Sequence, residues 1–140
     1  MGRVLAIDYG RKRTGIAVTD QLQMIATALT TVPSHQAVEF LKDYVNRESV
    51  VCFVVGEPRQ MNNKPSESVV YIDPFVKQLK KQFPDIPVER MDERFTSKMA
   101  MQAIQQARLK KKDRQNKALV DSVSAVILLQ SWLEMKNLQL

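Results

Sequence analysis

The sequence predicts an α/β domain: a mixed five-stranded sheet whose first three strands are antiparallel and whose later strands are parallel, with helices on both faces. The short apolar runs at residues 4–7 and 50–55, rich in β-branched residues, are typical of buried strands. The later strands alternate with helical patterns, which predicts parallel strands joined by right-handed crossovers. A chain of 140 residues can form one domain with a full core, so we expect a single domain over residues 1–140.

The first two strands are predicted to form a hairpin around a basic turn. Residues 4–7 form strand one, which ends at Asp8, and residues 16–18 form strand two. Gly10 and Gly15 bracket the turn, where a positive φ or a close backbone approach is expected. A carboxylate at the end of a central strand can serve a metal–phosphate site, and an ordinary solvated aspartate is the alternative.

The remaining elements follow from apolar periodicity and from capping and turn residues. They are a strand at 25–32, a helix at 35–47 capped by Ser34, a strand at 50–55, a helix around Pro74, a strand at 88–91, and helices at 96–109 and 116–135. Strand one should be central, with strand four beside it. Around Pro74, the chain forms either a kinked helix from about Ser66 or a helix that Asp73 caps.

The excess positive charge is confined to one segment. The net charge is +6 at pH 7, and residues 98–117 carry seven Lys or Arg residues against Asp113 alone. A focused basic patch favours a nucleic-acid partner, and a solvated charged loop is the alternative. The residues of this patch predicted to contact nucleic acid are Lys110, Lys111, Lys112, Arg114 and Lys117.

The single cysteine and the single histidine narrow the chemistry. Cys52 cannot form an internal disulfide and is expected in the core. His35 is the single histidine and stands at an exposed helix start, so we expect neither a zinc site nor a histidine-based catalytic triad. No apolar run is long enough to span a bilayer and no signal peptide is recognisable, so we expect a cytoplasmic protein.

Three acids stand out by their positions. Asp8 ends strand one, Glu93 ends strand five, and Asp121 lies among apolar residues early in the last helix. Burying a carboxylate is costly unless it is paired or binds a metal, and hard oxygen ligands suit Mg²⁺ or Mn²⁺. Asp121 could instead face water, and Glu93 could pair with Arg94. Together with the basic patch, the three acids suggest two-metal phosphodiester chemistry.

Four segments, in order along nearly the whole chain, carry a resemblance to a known family. They are Asp8-Tyr9-Gly10-Arg11 with Arg13 and Gly15, the loop at 54–58, the Asp-Glu-Arg-Phe-Thr-Ser block at 92–97, and the helix at 117–130. These segments resemble the YqgF/RuvX family of Holliday junction resolvases or pre-16S rRNA nucleases, which belongs to the RNase H-like superfamily. The block at 92–97 is the most specific. The chain departs from the family at Asn62-Asn63-Lys64, where a glycine is usual.

The resemblance implies an RNase H-like fold in which Asp8, Glu93 and Asp121 are the catalytic, metal-binding acids of a nuclease. It implies Mg²⁺ or Mn²⁺ as cofactor, as two ions, and Arg11 and Arg13 as phosphate contacts at the mouth of the site. The implied partner is structured RNA such as pre-rRNA, or branched DNA, and the protein is expected as a monomer or a homodimer away from membranes.

Two other functions stay open. An actin- or sugar-kinase-type ATPase shares the Asp-x-Gly strand–turn–strand, but such enzymes close two lobes over ATP and this chain supplies one. A nucleic-acid-binding protein without catalysis would need only the basic residues, and it has no reason to place carboxylates beside a polyanion. The nuclease hypothesis requires Asp8, Glu93 and Asp121 to converge at one end of the sheet.

Overall fold

The computed structural model describes residues 2–57, 69–92 and 117–138. The strands are Arg3–Tyr9 (β1), Arg13–Thr19 (β2), Ala26–Pro33 (β3), Val50–Glu57 (β4) and Val88–Asp92 (β5), and the helices are Ala37–Arg47 (α1), Val69–Gln82 (α2) and Lys117–Leu138 (α3). A short 3₁₀ turn, Ser34–Gln36, leads into α1.

The five strands form one sheet in the order β3-β2-β1-β4-β5. β1 pairs antiparallel with β2, and β2 pairs antiparallel with β3. β1 pairs parallel with β4, and β4 pairs parallel with β5. The predicted mixed sheet, with strand one central and strand four beside it, is therefore confirmed.

Helices cover both faces of this sheet, as predicted. On one face, β1, β2 and β4 pack against α1 and α2 through residues such as Leu5, Ile7 and Phe53. On the other face, the same strands pack against α3 through Val4, Ala6 and their neighbours. Because β1 contributes fully buried side chains to both cores, its apolar run contains no solvated face.

α3 is held against the sheet by a buried stripe of small and branched residues. Ala125, Leu128 and Leu129 are almost completely inaccessible to solvent. Full burial of one leucine side chain stabilises a fold by about 1.5–3 kcal/mol, so this stripe fixes the helix on the sheet. At the margin of the stripe, the Trp132 indole N–H donates to a carboxylate oxygen of Glu89 at 2.7 Å. No helix within the described ranges is long and apolar enough to cross a membrane.

The structure corrects one local expectation and decides between the two alternatives at Pro74. Ser34 does not cap a helix: Pro33 precedes the 3₁₀ turn and no side chain caps it. Pro74 lies inside α2, which rules out a helix beginning at Pro74 behind an Asp73 cap. The predicted start near Ser66 and the predicted helix at 96–109 lie outside the described residues.

Cys52 lies in the core, as predicted, with 9% of its surface exposed. Its sulfur is 3.6 Å from a carboxylate oxygen of Glu89. Burial and the adjacent negative charge raise the pKa of the thiol to about 12, from an ordinary value of 9.0. The thiol is therefore protonated and unreactive at neutral pH, because the thiolate is the nucleophile.

We expect Cys52 to resist alkylation by iodoacetamide at pH 8 in the folded protein and to react readily in urea, as followed by mass spectrometry. Because the folded pKa is raised, the folded state holds this proton more tightly. The stabilisation that the protonated Cys52 thiol gives the folded state is thus present below about pH 9 and is lost as the pH rises toward 12. The free energy of unfolding of Cys52→Ala should not show this decrease over the same pH range. Rapid labelling of the native protein would contradict the assignment.

Candidate nuclease site

The carboxyl ends of β1, β4 and β5 meet at one edge of the sheet, which we call the carboxyl edge. Parallel pairing aligns Ile7 with Val55 and Glu57 with Asp92, and Asp8 follows Ile7 directly. Adjacent strands are about 4.8 Å apart, so the backbones of β1 and β5 are separated by about 10 Å. All three parallel strands thus bring an acidic residue to the same edge.

Asp8 lies on the face of the sheet that α3 covers. Side chains alternate along a strand, and Leu5 and Ile7 belong to the core formed with α1 and α2. Val4 and Ala6 belong to the core formed with α3. Asp8 continues this second set and is half-buried. The Asp8 side chain is therefore directed to the α3 side of the carboxyl edge.

Both strands beside Asp8 carry a glycine at its level. Gly15 of β2 pairs with Asp8, and Gly56 of β4 follows Val55, the partner of Ile7. The position level with Asp8 on each neighbouring strand therefore has no Cβ. Glycine inside a strand is typical of a position that a ligand approaches closely. The expected positive φ is absent, since no described glycine has one.

α3 runs from the carboxyl edge toward the opposite end of the sheet. Its C-terminal half shares a cavity with the start of β3, where Gln130 and Leu133 face Ile25. The start of β3 pairs with the end of β2, level with the amino end of β1. Asp121 lies nine residues before Gln130, about 13 Å along the helix, toward the carboxyl edge. The backbone of Asp121 is also one turn before Ala125, which packs on the sheet.

A hydrogen-bonded clamp centred on Ser34 fixes the basic turn between β1 and β2. The Ser34 hydroxyl donates to the Gly10 carbonyl oxygen at 2.6 Å, and the Ser34 backbone N–H donates to the Lys12 carbonyl oxygen at 2.9 Å. The buried Thr14 hydroxyl lies 2.9 Å from the Ser34 hydroxyl and donates to it. A Cβ at Gly10 would collide with the Arg13 carbonyl oxygen, so the expected close backbone approach is confirmed at this glycine.

The two arginines of the turn occupy different environments. Arg13 begins β2, opposite Pro33, and is half-buried. Arg11 is exposed, and its guanidinium carbon is 5.7 Å from the centre of the Tyr71 ring, at the start of α2. This is within the range of a cation–π contact. Both arginines thus lie within five residues of Asp8 in a turn whose backbone is fixed.

Several predicted site residues lie beyond what the structure describes. Glu93 and the basic residues Lys110, Lys111, Lys112 and Arg114 lie outside the described residues. Lys117 and Asp121 belong to α3, but their side chains are not described. Within residues 2–57, 69–92 and 117–138, no three His, Cys, Asp or Glu side chains are grouped as a metal site. Convergence of the three acids stays a prediction.

The sequence did not single out Ser34, Thr14 or Tyr71 as parts of this edge. The Pro33-Ser34 pair has the pattern of a helix start, and the same hydroxyl can serve a cap or a turn 24 residues earlier. Tyr71 has the spacing of a surface helix residue. No local signal could have found these contacts, because they depend on how distant elements pack.

Comparison with known proteins identifies the family. A family model described as "RuvX: Holliday junction resolvase" matches residues 2–135. Relatives from Bacteroides fragilis and Phocaeicola vulgatus, each named "Putative pre-16S rRNA nuclease", are 59% and 62% identical to this chain. The first alignment covers 99% of this chain and 100% of the relative, and the second covers 98% and 99%. A relative of the same name from Parabacteroides distasonis is 59% identical over the full length of both chains.

The fold thus defines an α/β protein with a mixed five-stranded sheet whose central strand carries an acid, Asp8, at its carboxyl end. The chain belongs to the RuvX family of Holliday junction resolvases, and nuclease activity is the function that the family and the relatives support.

Ser34→Ala should loosen the basic turn. It removes the hydroxyl that bonds to Gly10 and Thr14, and the expected cost is about 1–3 kcal/mol of unfolding free energy, measured by urea denaturation. His35→Ala is the matched control, because His35 is exposed and its described contact is a 3.4 Å bond to Gln36. Equal stability of the two variants would mean that the Ser34 hydroxyl contributes nothing to the free energy of unfolding.

Proposed function

We propose that this protein is a metal-dependent endonuclease that hydrolyses phosphodiester bonds of structured nucleic acid, with the 5′ end of pre-16S rRNA as its first substrate. Asp8, Glu93 and Asp121 are the proposed catalytic acids. The observation that carries the proposal is the position of Asp8: half-buried at the carboxyl edge, on the face covered by α3, between two glycines. The names of the relatives direct the choice of substrate.

The alternation of β5 supports Glu93 as the second acid. Met91 packs in the α3 core, and Glu89 bonds to Trp132 of α3, so these odd-numbered positions face α3. Arg90 faces the other side, where its guanidinium lies 2.8 Å from the Asp73 carboxylate of α2. Glu93 is the next odd-numbered position after Met91 in the sequence, and this spacing supports it as the second acid. Asp92 is an even-numbered position of the sequence, like Arg90.

The direction of α3 supports Asp121 as the third acid. The helix begins toward the carboxyl edge, and Asp121 precedes the buried Ala125 by one turn. Residues four apart share one side of a helix. An aspartate on the sheet-facing side, near the end of β1, would approach Asp8 from above the sheet.

This set of donors fits Mg²⁺ or Mn²⁺. Three carboxylates supply only hard oxygen ligands, and the one cysteine is a protonated core thiol. Two such ions would activate a water and neutralise the leaving 3′ oxygen. The chain's own carboxylates would hold them, and the bare backbone at Gly15 and Gly56 would leave room for the substrate phosphate beside Asp8.

The basic residues supply the affinity that the acids cannot. Arg11 and Arg13 adjoin Asp8 in the clamped turn, and Lys117 is the first residue of α3, which begins toward the same edge. Lys110–Lys112 and Arg114 precede it in the sequence. A nucleic acid lying across the carboxyl edge would therefore meet cations on both sides of the carboxylates. We assign this activity to the cytoplasm, where ribosomal RNA is processed.

Asp8→Asn should abolish cleavage while retaining binding. The amide keeps the shape of the side chain but removes a ligand charge, so cleavage should fall by at least about a hundredfold. Affinity should persist or rise, because a negative charge facing the phosphates is lost. Labelled precursor rRNA and a four-way DNA junction are incubated with Mg²⁺ and with EDTA, and ATP hydrolysis is followed in parallel.

Glu93→Gln and Asp121→Asn should behave like Asp8→Asn, whereas Asp92→Asn, a matched loss of one charge beside Glu93, should cut like the wild type. Full cleavage by Asp8→Asn would refute the metal-nuclease proposal. Loss of cleavage in Asp92→Asn, with Glu93→Gln active, would move the second acid to Asp92. Cleavage of the junction alone would favour Holliday junction resolution as the activity.

Changing Lys110, Lys111 and Lys112 together to Ala should weaken binding regardless of sequence. Each lost phosphate contact should flatten the slope of log affinity against log salt by about 0.7–0.9. Cleavage at saturating substrate should survive, which is the reverse of the Asp8→Asn result. The measurement is a filter-binding titration at several salt concentrations. An unchanged slope would show that the lysines form a solvated loop.

A further inference from the structure

An exposed aromatic ring and a guanidinium lie together beside the basic turn. Tyr71, near the start of α2, has 41% of its surface exposed, and Arg11 lies over its ring at 5.7 Å from the centre. The core of α2 is formed by other residues, Ile72, Phe75, Val76 and Leu79. Tyr71 is therefore not needed to fill the core, and both members of the Arg–Tyr pair are exposed at the protein surface.

A second aromatic pair fixes this surface next to Asp8. Tyr9, the residue after Asp8, stacks on Phe75 with ring centres 4.2 Å apart and an interplanar angle of 17°. Phe75 is one helical turn after Tyr71, so the Tyr9–Phe75 stack ties the first turns of α2 to the end of β1. The clamp at Ser34 holds the backbone on either side of Arg11, because Ser34 donates to the carbonyl oxygens of Gly10 and Lys12. Both members of the exposed pair are thus held on rigid elements.

We propose that Arg11 and Tyr71 form a stacking site for one unpaired base, adjacent to the phosphate that Asp8 serves. This inference rests on the proposed nuclease function and specifies its substrate class: a strand whose bases are free to leave the helix. Aromatic rings and guanidinium planes both bind bases by stacking, and they do so with little sequence preference. A continuous duplex keeps its bases stacked on one another and would leave the site empty.

The position of the pair matches a strand that crosses the carboxyl edge. Asp8 faces α3, whereas Tyr9 and Tyr71 belong to the side of α2. A phosphate beside Asp8 would thus have its neighbouring nucleotide around the edge, at Arg11. The positive charge of Arg11 would hold that phosphate as the base stacks on the exposed pair.

The test uses the full chain carrying Asp8→Asn, so that binding is measured without cleavage. The probes are a short single-stranded RNA with one fluorescent adenine analogue and a blunt RNA duplex of the same sequence. Tyr71→Ala should lose about tenfold in affinity for the single strand, and the analogue should lose its stacking-induced quenching. Duplex affinity should not change. Tyr71→Phe should bind like Tyr71, and Arg11→Lys, which keeps the charge but not the plane, should lose part of the affinity.

Val70→Ala is the matched surface control, since Val70 is the preceding residue and is 72% exposed. If Tyr71→Ala does not fold, Tyr71→Leu keeps the apolar bulk without an aromatic plane and should show the same loss. Wild-type affinity of Tyr71→Ala for the single strand, or an equal loss on both probes, would overturn the stacking site. Tyr71-dependent binding by a protein that cuts neither RNA nor a junction would overturn the nuclease function and leave the stacking site standing.

Discussion

The alternation of side chains along β1 is the constraint on which the rest of the structure depends. Helices cover both faces of the central strand, so neither Val4 and Ala6 nor Leu5 and Ile7 can face water. A shift of one residue would exchange the two cores, which fixes the register tightly. The same alternation directs Asp8 to the side of α3. A packing requirement thus determines where the chemistry can be placed, before any ligand is considered.

The turn that follows Asp8 is held by a different kind of interaction from the core. The turn after Asp8 is too polar to be held by burial, and hydrogen bonds from Ser34 and Thr14 hold it instead. The glycines beside Asp8 leave both neighbouring strands without a side chain at this level, at a cost in conformational entropy. The edge therefore combines a hydrogen-bonded turn with two neighbouring strand positions that carry no side chain.

Much of this arrangement was predictable because it depends on local patterns. The apolar runs and the crossover lengths were sufficient for the order of the strands and for the burial of Cys52. The role of Ser34 was not predictable, because a serine after a proline satisfies a helix cap and a distant turn equally well until the tertiary contacts are known. The glycine pair beside Asp8 depends on strand register, which no single segment encodes. Glu93 and Asp121 stay predictions, which rest on their positions in the sequence and on the family resemblance.

The two sides of the carboxyl edge have opposite requirements. Carboxylates without bound metal repel the phosphates of a nucleic acid, so other groups must supply affinity. In this fold the acid at Asp8 faces α3, whereas the Arg11–Tyr71 pair and the Tyr9–Phe75 stack lie toward α2. In the proposed site, the catalytic acid and the base-stacking pair therefore lie on opposite faces of the same strand end. In the proposed nuclease, a substrate that bends around this edge would contact both sides, whereas a straight duplex would not, so the proposal requires an unpaired nucleotide at the cleavage site.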